Sequence, residues 1–365
     1  MMEENSTSDW FSKPGDSIRA VMQRRGVDPH NLASMFEDGM ARVRALLDGS
    51  ASIHEDDAVK LSTALGANPK FWLTRQENFD KAVSRAVERI RDSEDGELVL
   101  SIPVPGSKPR GKLTEDRKAE EIRRRLVYFN VPTVSTWESR YGRVVRDTDF
   151  RKSAAYSSND EDTLLWLRRG ELESDMINTR PFDSGNLQDR LDAIRKLSRI
   201  RHPQSFLPKL RTLCAEAGVA LVIVKPPSGC KASGAARMVD PDKAMILLSF
   251  RYRSDDQFWF TVFHEIGHLL LHKAHTFLDG DETPFDEKEE EANEFAETCI
   301  IPSLRASEFE RLQADKDSVL RFSVSIGVAP GLTVGQMQHR EMIPRSKLNY
   351  LKRRWAWEEI DPALP

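Results

Sequence analysis

The chain has 365 residues, with 54 Lys and Arg against 58 Asp and Glu, a net charge of −4 and three cysteines. That length exceeds one ordinary domain and allows sizeable cores, and the negative balance excludes a broadly basic nucleic-acid binder while permitting a local basic face. Cys214, Cys230 and Cys299 are odd in number and unpaired by spacing, so neither a disulfide framework nor a cysteine-rich zinc module is indicated. No run approaches about 18 apolar residues and the polar N-terminus reads as having no leader, so the expected setting is cytoplasmic, with no membrane partner.

The first predicted elements are short helices packed into about 70 residues. Pro14-Gly15-Asp16 opens the first, Asn31-Leu32-Ala33 begins the second, and Gly39 to Leu47 forms the third before Asp48-Gly49. Asp56 to Leu65 and Pro69 to Phe79 supply two more. A tight turn between the second and third is the pattern of a helix-turn-helix unit. Ala33, Val43 and Leu46 sit where such a unit needs small or apolar packing. Met40, Arg42 and Arg44 are then expected to face outward at the start of the recognition helix, where base edges and phosphates of duplex DNA are read. One unit covers a half-site, so a homodimer is expected. Glu37-Asp38 place two carboxylates near the phosphate backbone and weaken binding. In the competing reading the unit uses its fold for protein contacts.

Residues 96–195 read as a linker and helical connecting region. Lys108-Pro109-Arg110-Gly111-Lys112 through Arg123-Arg124-Arg125 is basic, as a DNA contact or, more simply, a solvated helix face. Asp162 to Arg169, Leu187 to Ile200 and Phe206 to Ala217 carry apolar residues at helical spacing. Val219 to Val224, ended by Pro226-Pro227-Ser228-Gly229, reads as a buried strand and a turn. Ala235 to Val239 and Ala244 to Ser249, joined by Asp240-Pro241-Asp242-Lys243, read as a hairpin.

Asp255 to Leu271 is too apolar for a surface helix, so burial is expected. It contains His264-Glu265-Ile266-Gly267-His268. Residues i and i+4 share a helix face, so His264 and His268 can close on one metal ion with Glu265 beside it. That is the layout of a zinc hydrolase, with two imidazole ligands and a carboxylate placed to take a proton from metal-bound water. A third protein ligand is usual. The acidic run Glu287 to Glu291 opens a helix whose apolar face is Ala292, Phe295, Ala296 and Ile300. Glu289 shares the inward edge of that face, whereas Glu290 points about 100° away and Glu291 about 200° away, making them weaker candidates. Alone, the run would also suit a solvated helix start, where carboxylates favour the macrodipole.

His272 and His275 fall on the face of His264, but eight residues of helix span about 12 Å, too far for His264, His268 and His272 to share one ion. His272 is expected as a cap or a support to the ligands. Farther on, His339 is a candidate oxyanion donor, with a structural role as the plainer alternative. Lys347 to Trp357 reads as a basic helix.

Two resemblances extend this reading. Residues from about 196 to 345 resemble the ImmA/IrrE family of zinc metallopeptidases, through His264-Glu265-Ile266-Gly267-His268-Leu269-Leu270-Leu271-His272, Glu289-Glu290-Glu291-Ala292-Asn293-Glu294-Phe295-Ala296 and Ile301-Pro302. The resemblance implies His264, His268 and Glu289 as Zn2+ ligands, Glu265 as general base, and a gluzincin-like fold with a small antiparallel sheet ahead of the active-site helix. The N-terminal segment resembles the XRE-family helix-turn-helix, in its HigA-like branch, through Asn31-Leu32-Ala33, Val43 to Ile53 and Leu65 to Gln76.

The expected architecture is therefore α+β and mostly α. A helix-turn-helix domain (1–95), the connecting region (96–195), a metallopeptidase domain (196–345) and a basic C-terminal helix or tail (346–365) follow one another. The expected function is a zinc-dependent endopeptidase coupled to a DNA-binding domain, cutting a repressor or partner protein in a stress, phage or toxin–antitoxin circuit. The alternative is a DNA-binding regulator or antitoxin whose peptidase domain senses or scaffolds without proteolysis. The presence of Glu265 favours retained chemistry, because a structural zinc site has no need of it.

Overall fold

The computed structural model describes residues 11–106, 111, 113–142, 158–272, 277–280 and 287–361. The chain divides into two compact units, Met1–Asn178 and Thr179–Pro365. His275, Lys108-Pro109-Arg110 and Lys112, singled out above, lie outside the described residues.

The first unit contains α1 (Pro14–Arg25), α2 (Pro29–Ala33), α3 (Gly39–Asp48), α4 (Glu55–Leu65), α5 (Pro69–Arg91), α6 (Glu94–Ser101), α7 (Glu115–Phe129), α8 (Val134–Tyr141) and α9 (Ser158–Ser174). Proline at the first turn opens α1, α2 and α5, where its missing N–H is harmless. Asp28 and Asn68 cap α2 and α5 by accepting from the backbone N–H of His30 and Lys70. Gly26 ends α1 at φ 64°, a left-handed position that glycine adopts without strain. Ile18, Leu32, Val43, Leu46, Leu61 and Trp72 meet in one buried cluster that holds the first five helices together. α5 runs beyond the expected Phe79 because Ala82, Val83, Ala86, Val87 and Ile90 prolong its apolar stripe. The helices α6 to α9, drawn mostly from the segment read as connecting, belong to this unit.

The second unit contains α10 (Ser184–Asp189), α11 (Leu191–Leu197), α12 (Pro203–Glu216), β1 (Val219–Ile223), β2 (Ala232–Asp240), β3 (Lys243–Leu248), α13 (Asp255–Leu271), β4 (Phe277–Gly280), α14 (Glu287–Ile300), α15 (Ala306–Glu310), α16 (Lys316–Ile326), α17 (Pro330–His339) and α18 (Trp357–Ile360). The α+β class holds, and the hairpin forms as β2 and β3. The sheet, however, is mixed rather than antiparallel. Its order is β1-β3-β2-β4, with β1 parallel to β3 and β2 antiparallel to both β3 and β4. After β1 the chain passes Pro226-Pro227 and returns two places across, leaving a slot that β3 fills from the hairpin.

α13 packs against this sheet on one side and against α14 and α17 on others. Trp259, Val262, Phe263 and Ile266 are fully buried in the same cluster as Leu221, Ile246 and Leu332. Cutting an aromatic of this kind to alanine costs about 3–5 kcal/mol, so the core fixes α13 rigidly.

The expected basic helix at Lys347 to Trp357 does not form. Leu348 takes a left-handed φ of 62°, a 3-10 turn occupies Asn349–Leu351, and Arg354 bridges Ser254 in extended form. The cause is Trp355, which is drawn into the core against Phe206, Phe250 and Phe258. Among the described residues, no single helix is long and apolar enough to cross a membrane.

Candidate metal centre and helix-turn-helix face

His264 and His268 lie one turn apart on α13 and are 2% and 1% exposed. Their Nε2 atoms stand 2.9 Å apart, and the Oε2 of Glu289 lies 3.2 Å from the first and 3.5 Å from the second. Two donors each about 2.1 Å from a tetrahedral ion would be about 3.4 Å apart, a spacing that the two nitrogen–oxygen separations match closely and the two nitrogens, at 2.9 Å, reach by moving slightly apart. His264, His268 and Glu289 are a group able to hold a metal ion, with ligand atoms all within 4.8 Å of one another. Two imidazoles and a carboxylate leave room for a fourth ligand. Glu290 and Glu291, the weaker candidates from the sequence, are exposed.

Two glycines make this convergence feasible. A Cβ on Gly267 would sit 3.0 Å from Phe295 Cδ1 and 3.4 Å from Ala292 Cα, so its absence lets α14 lie close against α13 and brings Glu289 to the histidines. A Cβ on Gly234 of β2 would overlap the Glu265 carboxylate and stand 2.7 Å from Thr261 Cγ2. Glu265 is fully buried, and its carboxylate occupies the space that Gly234 leaves open.

The charges are arranged to keep Glu289 ionised. Burial works to raise its pKa but is outweighed by hydrogen bonding to His264 and His268, which together hold it at about 2. Burial pushes His268 below the usual histidine range, favouring the neutral imidazole that a metal requires. His264 Nδ1 lies 3.0 Å from Asn293 Oδ1. With Nδ1 as the donor, the Nε2 lone pair faces the metal position. Asn293 received no role from the sequence, yet it stands one turn after Glu289 on the same face of α14, a signal that was available. His272 caps α13, and its Nε2 lies 3.1 Å from the Lys288 carbonyl oxygen, tying α13 to the start of α14.

His339 ends α17 with a side chain 62% exposed and 3.2 Å from Glu297. Its ring is 6.3 Å from that of Phe260, which in turn lies 6.2 Å from that of His264. Phe260 therefore neighbours both rings, and His339 pairs with Glu297.

In the first unit, the residues expected to face DNA are engaged within the protein. Met40 packs against the core cluster. Arg42 donates through Nε to Asp57 at 3.0 Å and through Nη2 to the Ser52 carbonyl at 3.1 Å. Arg44 pairs with Glu173 at the end of α9. The outward orientation read from the sequence is thus not what α3 shows, because acidic partners lie within reach. The next residues follow the same course. Asp175 pairs with Lys13 at 3.1 Å and with Arg19, Met176 packs on the helix-turn-helix core, and Asn178 donates to the Val27 carbonyl at 3.2 Å.

Two comparisons with known proteins bear on the chain. Residues 220–330 match the Peptidase M78 family model, described as the IrrE N-terminal-like domain, a segment that includes His264, His268 and Glu289. Over 70 residues the chain is 30% identical to the uncharacterized HTH-type transcriptional regulator YddM of Escherichia coli (strain K12), covering 19% of this chain and 74% of that protein.

Proposed function

This chain belongs to the helix-turn-helix regulators fused to an ImmA/IrrE family metallopeptidase domain, and we propose that it is a zinc-dependent endopeptidase acting in transcriptional regulation. Its substrate is a regulator or repressor protein, and its first unit binds duplex DNA as a homodimer. The observation that carries the reading is the convergence of His264, His268 and Glu289 with Glu265 buried beside them.

In this role His264, His268 and Glu289 would hold the ion. An ion held there would supply Lewis-acid activation of a water molecule and of a peptide carbonyl. Glu265 follows His264 directly and takes the proton as water attacks the carbonyl, then returns it to the leaving amine. Asn293 fixes the His264 ring, and the Gly234 gap fixes where the Glu265 carboxylate stands. Among the described residues β4 is the outer strand next to β2, and its outer edge offers main-chain groups to an extended polypeptide.

The test compares wild type with Glu265→Gln, zinc present, against the proteins encoded beside it. Wild type should cut one of them, and Glu265→Gln should keep its metal and fold while losing cleavage. Equal cleavage by both would reject the mechanism. Absence of cleavage by wild type would favour the sensor or scaffold reading.

A further inference from the structure

Glu265, Thr261 and Gln257 recur every four residues along α13, with Glu265 and Thr261 buried against β2 and Gln257 exposed near the start of the helix. Gly234 abuts both Glu265 and Thr261. Ser233, beside it on β2, borders a shallow depression with Thr261, Gln257 and Tyr252. Gln257 and Tyr252 then form part of the wall of a wider cleft of about 340 Å³, completed by Arg345, Lys352, Arg354 and Asp256 among others.

The charges in that cleft are unequal in their commitments. Lys352 is bound to Asp256 at 2.6 Å and to Gln338 at 2.6 Å, so it neutralises the one carboxylate of the lining and acts as scaffold. Arg345 and Arg354 are exposed and, among the described residues, have no ion pair or side-chain hydrogen bond. Two guanidinium groups therefore face one cleft without a counter-charge. Each offers a planar fork that matches a carboxylate in two-point fashion.

Gln257 precedes Glu265 by eight residues, a rise of about 12 Å along a helix. An extended peptide advances about 3.3 Å per residue, so a span of that length takes about four residues of substrate. We propose that the Arg345–Arg354 cleft is a specificity subsite for an Asp or Glu side chain of the polypeptide substrate, about four residues from the scissile bond. The proposal rests on the endopeptidase reading above, and its test reads binding rather than cleavage so that the two can fail separately.

The probes are three fluorescein-labelled octapeptides of alanine carrying two Asp, two Lys or no charged residue at one end, titrated by anisotropy into the full chain as Glu265→Gln with zinc. The Asp peptide should bind more tightly than the neutral one, with a preference that weakens as salt rises. Arg345→Ala/Arg354→Ala should lower its affinity about tenfold, with zinc content and melting unchanged. Arg345→Glu/Arg354→Glu should transfer the preference to the Lys peptide. An Asp peptide bound no better than the neutral one, or a preference that survives both double variants, would overturn the subsite. If wild type cuts no neighbour-encoded protein but these binding results hold, the endopeptidase reading fails and the cleft stands as a site for acidic peptides.

Discussion

The two units treat their functional residues in opposite ways. In the second, His264, His268 and Glu289 come from two helices and converge with nitrogen and oxygen donors facing one point. In the first, Met40, Arg42 and Arg44 come from one short helix and are turned to partners inside the protein. A His-Glu-x-x-His motif carries its own geometry, because helical spacing alone puts both imidazoles on one face. A recognition helix carries none of its surroundings. Whether its arginines reach a phosphate depends on residues such as Glu173, distant in sequence and invisible to any local pattern.

The sharpest way to break this contrast is to disturb the catalytic side without touching a ligand. Gly234→Ala places a methyl group where the Glu265 carboxylate stands. Zinc content should remain at the wild-type level while cleavage falls at least about a hundredfold, the scale expected when a catalytic group is misplaced by about 1 Å. Wild-type turnover in Gly234→Ala would show that Glu265 tolerates displacement and does not work from its observed position.

A smaller effect comes from the start of α13. Burial, and then the charge of Asp256, push Asp255 up to about 7. An unfolded Asp titrates near about 3.9, so between these values the folded state binds more protons and stability falls as pH rises. The contribution is whole below about 4 and lost as pH climbs through about 7. Denaturant melts of wild type should therefore lose a few kcal/mol between pH 5 and pH 8 relative to Asp255→Asn. Parallel pH profiles for the two proteins would mean that Asp255 is ionised throughout.

The smallest effect probes the first unit. If the acidic end of α9 occupies the DNA face, Glu173→Gln/Asp175→Asn should raise affinity for the duplex upstream of the chain's own coding region by about three- to tenfold at low salt. Unchanged affinity in a protein that binds DNA would place the contact surface elsewhere than Arg44, Lys13 and Arg19.

Much of the second unit was legible in the sequence. The bounds of α13 follow from the apolar run Asp255 to Leu271, and the hairpin from Asp240-Pro241-Asp242-Lys243 between two apolar segments. Two features escaped for a common reason. The parallel pairing of β1 with β3 depends on where the chain returns after Pro226-Pro227, and the extended course at Arg354 depends on Trp355 finding Phe206. Both are long-range contacts, which residue patterning does not encode. The His264–His268–Glu289 group was readable because register on α14 separates Glu289 from its acidic neighbours, whereas Gly234 was not, since nothing nearby marks it as the residue facing Glu265.

The most direct test is zinc stoichiometry, measured by elemental analysis on wild type, Glu265→Gln, His264→Ala and Glu289→Ala. One zinc per chain should be found in the first two and almost none in the last two, because Glu265 stands beside the metal position while the others form it. Stoichiometric zinc in Glu289→Ala, or its loss in a folded Glu265→Gln, would contradict the assignment of ligands and base.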